Sequence, residues 1–242
     1  KQHFVVPELA MTERFGPRLG QLLFTLIRPA VFAQQAQALN RVRKEYGLPS
    51  VGYTLPHIFT DADETAYADL PELVPTFDRP PHHHYLGPVL WSPDSAPPWW
   101  DSVPNVRPMA YVSLGTSGRA ELLPLVLQAL EDLGVYALVS TAGKAPPSSA
   151  SGSAWVSRYL PGLEAATRAD FVICNGGSAT VYQALAAGVP VLGIPNNLDQ
   201  YLMMDYIRRA GAGDYLRAWD TSARAVTNAV DLILHTAAYR RQ

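Results

Sequence analysis

The chain has 242 residues, 48% hydrophobic and 17% charged, with a formal net charge of −2. That length fits one large domain or two small ones, and the apolar content excludes an intrinsically disordered polypeptide. A near-neutral balance without any Lys/Arg run gives no footprint for nucleic acid.

The first residues from Lys1 resemble neither a signal nor a transit peptide, and the start without methionine reads as a cut from something longer. Leu19–Ala33 is the most apolar early stretch. It is too short for a transmembrane helix and is interrupted by Arg28-Pro29. A helix is expected from Phe24 to Tyr46, ending in the basic Arg41-Val42-Arg43-Lys44 with Gly47 as its cap. From Pro49 to Pro108 prolines and aromatics replace periodic runs, and such a segment cannot close a core alone. His82-His83-His84 reads as a surface loop before Tyr85, because three successive residues alternate faces and rarely converge on one metal. Pro88, Pro93, Pro97, Pro98, Pro104 and Pro108 mark an extended linker.

Residues 109–220 alternate strand and helix. Met109–Leu114 is an apolar strand ending at Gly115-Thr116-Ser117-Gly118. Leu122, Leu123, Val126, Leu127 and Leu130 then fall on one helical face, with Pro124 in the first turn and Gly134 as the stop. Strands follow at Val135–Val139 and Trp155-Val156, and a helix at about Leu163–Arg168. Strand Phe171–Cys174, a glycine turn, a helix ending near Gly188 and strand Val189–Ile194 complete the core. Short, continuous, β-branched strands are those of a parallel sheet covered on both faces. The fold class is therefore α/β, a doubly wound parallel sheet with ligands at the carboxyl ends of its strands. The last helix, from Ser222 to about Tyr239, is expected to pack back toward the N-terminal part. The Pro/Ser/Gly tract from Ala145 to Ser153 is a loop, and Cys174 is the single cysteine. One cysteine excludes an intrachain disulfide framework.

The turn Asn175-Gly176-Gly177-Ser178-Ala179-Thr180 carries the chemistry. It joins a strand end to a helix start, where free backbone N–H groups and close-approach glycines form an anion site. The hydroxyls of Ser178 and Thr180 add donors. By itself the pattern also fits an ordinary strand-to-helix turn. It lacks G-x-G-x-x-G, and no G-x-S-x-G elbow occurs in the chain.

Ser113-Leu114-Gly115-Thr116, Tyr159-Leu160-Pro161 through Gln183-Ala184-Leu185, Gly188-Val189-Pro190 and Pro195-Asn196-Asn197-Leu198-Asp199-Gln200 occur in one order. Together they resemble the donor-binding half of the GT-B glycosyltransferases, in the group holding plant, animal and macrolide enzymes. The resemblance covers about Met109 to Leu234. It implies a nucleotide-sugar donor and a hydroxylated small-molecule or lipid acceptor. Its site would use Gly115, Thr116, Asn175, Gly176, Gly177, Ser178 and Thr180 for the diphosphate. Tyr159, Leu160 and Gln183 would hold base and ribose, and Asp199 and Gln200 the donor sugar.

Four positions depart from the family pattern, the first being Tyr159 in place of the usual tryptophan. Asn175 replaces the usual histidine and never carries positive charge. Gln183 replaces a ribose-binding glutamate and fits a nucleotide lacking the 2′-hydroxyl, so UDP-sugar and TDP-sugar both stay open. Gly162 replaces a glutamine. Blander readings remain at each site: an exposed polar helix residue for Gln183, a core-edge aromatic for Tyr159, a dipole-favoured acid for Asp199.

The resemblance divides the chain into a remnant of an acceptor domain at 1–87, a linker at 88–108, the donor domain at 109–220 and a closing helix at 221–242. Leu39–Pro49 and Tyr85-Leu86-Gly87-Pro88 resemble the later part of that first domain. The catalytic base of the family, a histidine early in the first domain, has no counterpart, and His3 is not assigned. The implied activity is an inverting hexosyl transfer that uses no metal or other cofactor. The alternatives are a non-catalytic donor-binding subunit, a second chain supplying the base and, more remotely, a nucleotide-sugar 2-epimerase. The implied setting is cytoplasmic, with peripheral membrane association left open.

Overall fold

The computed structural model describes residues 10–92, 96–144, 152–218, 220–236 and 239, so His3 and most of the Pro/Ser/Gly tract lie outside. The chain forms two compact units, residues 1–87 and 88–242.

In the first unit, α1 (Ala10–Glu45) is broken at Gly16, whose φ of 79° is left-handed. Pro17 follows the break, in the position where a missing N–H and a fixed φ suit a helix start. The helix thus begins earlier than its apolar pattern predicts and continues through Pro29, losing one backbone hydrogen bond there. Its end is tied to the next turn: Asn40 Nδ2 donates to Gly52 C=O (2.8 Å), and Val51 N–H donates to Asn40 Oδ1 (3.0 Å). Arg43 donates to Pro49 C=O (2.7 Å) and pairs with Asp61 (2.9 Å).

After α2 (Leu55–Thr60), β1 (Thr65–Tyr67) and β2 (His83–Tyr85) pair in parallel. The expected loop at the histidine run is therefore a strand from His83 onward. Tyr67 Oη lies 2.7 Å from His83 Nδ1, His84 Nε2 lies 2.8 Å from Glu64, and Tyr85 Oη donates to Val74 C=O at 2.7 Å. His83 is buried while His84 is exposed, the face alternation that keeps the run from one metal.

The second unit holds a six-stranded, all-parallel sheet. Its strands are β3 (Met109–Ser113), β4 (Tyr136–Ser140), β5 (Ala154–Ser157), β6 (Phe171–Cys174), β7 (Val191–Gly193) and β8 (Gly213–Tyr215), in the order β5-β4-β3-β6-β7-β8. The helices between them are α3 (Leu123–Asp132), α4 (Gly162–Arg168), α5 (Ser178–Ala186) and α6 (Leu198–Arg209), and α7 (Ala223–His235) closes the unit. All residues of β3, β6 and β7 are buried, which explains their unbroken apolar runs. The chain winds outward from β3 to β5, then returns to place β6 on the other side of β3. That reversal opens a crevice at the carboxyl ends of β3 and β6.

α3 and α7 complete the core, with Val126, Leu127 and Leu130 packed near Val226, Val230 and Ile233. The closing helix, expected to pack toward the N-terminal part, thus places its apolar face inside the second unit. Residues 96–108 are not a bare linker. Trp100 is buried, stacks under the Arg168 guanidinium at 4.2 Å and accepts its hydrogen bond at 2.8 Å. Arg107 pairs with Asp170 at 3.1 Å, and Asp170 also accepts from Met109 N–H at 2.8 Å. Among the described residues, no helix is long and apolar enough to cross a membrane.

Candidate functional site

The crevice between β3 and β6 is built from two strand-end turns. After β6, Asn175 and Gly176 lead to Gly177, the N-cap of α5. No side chain caps this helix, so the N–H groups of Ser178, Ala179 and Thr180 have no intrahelical acceptors. They form an end of positive potential at the switch point of the sheet. Ser178 and Thr180 are part-exposed there, whereas Asn175 is buried.

The glycines divide the work. Gly176 has φ 79°, and a methyl group placed on it would meet Met204 Cγ at 2.7 Å. Gly193, at the end of β7, makes the same room for Met204, at 2.6 Å. Gly176 thus lets α6 pack against the turn, a task distinct from the ligand approach expected of it. Gly177 is the more open of the pair.

Facing this turn is the loop after β3, with Ser117 as its hub. Ser117 Oγ accepts from Asn175 Nδ2 (3.2 Å) and Gln200 Nε2 (2.9 Å), and Ser117 C=O accepts from Asn196 Nδ2 (3.0 Å). A hydroxyl that accepts twice keeps its O–H to donate outward. Asn175 Oδ1 accepts from Gly177 N–H at 3.2 Å, so this side chain holds the turn together. Gly115, at φ 64°, leaves space for it, since a methyl group there would lie 2.9 Å from Asn175 Nδ2. Gly115 is part-buried and Thr116 exposed.

Gln200 is 2% exposed. Its Oε1 accepts from Asn196 N–H (3.0 Å) while its Nε2 reaches Ser117, so the amide braces the start of α6 against the β3 loop. Of the pair expected to face the donor sugar, Asp199 alone is exposed, in the first turn of α6. Gln183 is likewise buried, with Nε2 donating to Trp91 C=O (2.6 Å) and Ser92 Oγ (3.2 Å). Tyr159 follows β5 and is 50% exposed, with the Arg158 guanidinium 5.8 Å from its ring centre. Leu160 beside it is buried.

Lys144 was not singled out by sequence, because it sits at the edge of the Pro/Ser/Gly tract. Its Nζ donates to Gly118 C=O (2.6 Å), and Gly118 lies against Asn175, with 3.0 Å between its methyl position and Asn175 Cβ. An ammonium has three N–H donors, and this bond uses one. Glu121 shares the neighbourhood, and its carboxyl is held below the ordinary range, first by the Arg119 hydrogen bond and last by the Lys144 charge. Cys174 plays no chemical part: complete burial pushes its thiol up to about 12, and its Sγ accepts from Gly176 N–H at 3.3 Å. No group of three metal-ligating side chains occurs among the described residues.

Residues 104–242 match the family model described as "UDP-glucoronosyl and UDP-glucosyl transferase". The chain belongs to this family. Across all 242 residues it is 50% identical to a PGL/p-HBAD biosynthesis rhamnosyltransferase of Mycobacterium bovis (strain BCG / Pasteur 1173P2), covering 54% of that protein. The chain thus spans about half the length of the curated relatives it matches. A second protein of that strain, named an inactive PGL/p-HBAD biosynthesis glycosyltransferase, is 50% identical over 131 residues, 54% of this chain and 36% of its own length. Among solved structures, the spinosyn rhamnosyltransferase SpnG complexed with thymidine diphosphate aligns with TM-score 0.62 at 20% identity, over 84% of this chain and 54% of that one. At that identity the likeness speaks for the fold, a GT-B glycosyltransferase half. Of the residues expected to hold the donor, those of the α5 start and of the β3 loop face one another across the crevice, and Tyr159 lies half exposed after β5. Gln183 and Gln200, expected at ribose and sugar, have their amides turned to intramolecular partners.

Proposed function

We propose that this chain is the donor-binding half of a nucleotide-sugar-dependent glycosyltransferase, with residues 1–87 as a remnant of its acceptor domain. The observation that carries the reading is the uncapped N-terminus of α5, set opposite the Ser117-centred loop at the switch point of the sheet. In the proposed reaction a base takes the proton of an acceptor hydroxyl, whose oxygen attacks the anomeric carbon. The bond from that carbon to the diphosphate oxygen breaks with inversion, and the nucleoside diphosphate leaves. The N–H groups of 178–180, the Ser117 and Thr116 hydroxyls and Lys144 receive the charge that develops on the leaving group. Tyr159 stacks on the base, and Asp199 accepts from donor-sugar hydroxyls.

The donor set of amides, hydroxyls and backbone N–H groups suits an anion, so the reading assigns no metal. The relative named a rhamnosyltransferase supports a hexose or 6-deoxyhexose donor, and the acceptor is a hydroxylated small or lipophilic molecule. A cytoplasmic setting, with or without membrane association, belongs to the same proposal.

The second reading is a donor-binding subunit that does not turn over by itself. It is favoured by the relative named an inactive glycosyltransferase, 50% identical over 131 residues. Calorimetric titration with UDP, TDP and their glucose conjugates tests both readings. Absence of binding to all four refutes the donor site. Binding with turnover by this chain alone refutes the subunit reading, and binding without turnover, restored by a partner polypeptide, supports a split enzyme.

A further inference from the structure

Gln183 stands where the family resemblance places a ribose-reading carboxylate, yet its surroundings demand an amide. Both Nε2 hydrogens have acceptors, Trp91 C=O at 2.6 Å and Ser92 Oγ at 3.2 Å. Ser92 Oγ in turn accepts from Leu163 N–H at 3.3 Å, in the first turn of α4. On its other side Gln183 fills the space above Gly162, where a methyl group would collide with Gln183 Oε1. The side chain is 7% exposed. A carboxylate here would face the Trp91 carbonyl with two acceptors and no hydrogen between them, a buried arrangement that is strongly unfavourable. Gly162 and Gln183, two departures from the family pattern, are thus one packing solution.

We infer that Gln183 is a positioning residue that clamps residues 91–92 onto α4 and α5, and that the site consequently does not read the ribose 2′-hydroxyl through it. The specificity half of this inference rests on the donor-site reading above. A 2′-deoxyribonucleoside diphosphate and its ribo counterpart then bind alike. A ribose hydroxyl bonded to a carboxylate would separate them by roughly 10- to 100-fold.

Two measurements test it. Titration of the whole chain with UDP and 2′-deoxy-UDP, which share one base, is expected to give dissociation constants within about threefold. UDP binding more than about tenfold tighter overturns the specificity claim. Hydrogen exchange compares the wild type with Gln183→Glu and Gln183→Leu. Faster exchange at the Leu163 amide in both variants, with the β3 and β6 amides unchanged, supports the clamp, and unchanged exchange at Leu163 overturns it. If the wild type binds neither nucleotide, the donor reading fails and takes the specificity claim with it. The exchange data then still judge the clamp.

Discussion

Substitution of Gly176 by alanine separates packing from ligand approach as the reason for this glycine. Two costs add at Gly176. A left-handed φ of 79° strains any residue with a Cβ by about 1–2 kcal/mol. The new methyl would also sit 2.7 Å from Met204 Cγ and 3.1 Å from Gln200 C=O, and overpacking of that kind costs about 1–3 kcal/mol. The expected loss is about 2–5 kcal/mol. Gly188 is the control, because its φ is 69° but nothing lies within 4 Å of its methyl position. Gly188→Ala should lose only the strain, about 1–2 kcal/mol.

Urea unfolding measures both, provided the m-value is unchanged. The contact with Met204 is isolated by the double mutant. Met204→Ala alone costs about 2–5 kcal/mol as a buried truncation, but combined with Gly176→Ala it vacates the space that the methyl needs. A favourable coupling of about 1–3 kcal/mol is expected. Equal losses for Gly176→Ala and Gly188→Ala, or additive single mutants, would refute the packing role. If the glycine served only a phosphate, Gly176→Ala would lose no more stability than Gly188→Ala, and the further damage would appear in nucleotide affinity.

On the proposed reading Tyr159→Ala removes a stacking platform worth about 1–3 kcal/mol, so nucleoside diphosphate binding should weaken by roughly 5- to 150-fold in a titration, whereas Tyr159→Phe retains it. Lys144→Gln should weaken TDP roughly tenfold while leaving thymidine unchanged, and should flatten the salt dependence of binding, because a charge-assisted contact to phosphate is lost. Cys174 should resist aromatic disulfide reagents at pH 8 and react only once the chain unfolds, since burial raises its thiol from 9.0 to about 12. The folded chain thus holds a neutral thiol that the unfolded chain ionises. This stabilisation is complete below about pH 9 and is lost as pH rises toward 12. Cys174→Ala should remove part of the alkaline loss seen by circular dichroism, with Tyr111, buried and raised to about 12, retaining the remainder.

What could be read from the chain follows from how each structure records itself in sequence. β3, β4 and β6 are buried through nearly their whole length, so their apolar runs and the flanking Gly115, Gly134 and Gly176 mark them directly. β1 and β2 are three residues each and alternate in burial, too short for any period, which is why the run His82–His84 reads as loop. The break within α1 is set by backbone conformation at Gly16 and Pro17, which apolar spacing does not record.

At the site, legibility divides by the kind of group. Backbone donors follow from the strand-turn-helix pattern, and the α5 terminus lies where that pattern puts it. Side-chain amides are different. Asn, Gln and their donor-acceptor pairs serve a ligand or a neighbour equally well, and only the tertiary partner decides. Asn175, Gln183 and Gln200 each replace or accompany a group expected to touch the donor, and each is buried and bonded within the chain. Neutral amides can bear that burial because their hydrogen bonds are satisfied, whereas an unpaired charge there would be costly. They fix the two loops before any ligand arrives. On the proposed donor reading, the attraction for an anion then rests on the backbone of 178–180 and on Lys144.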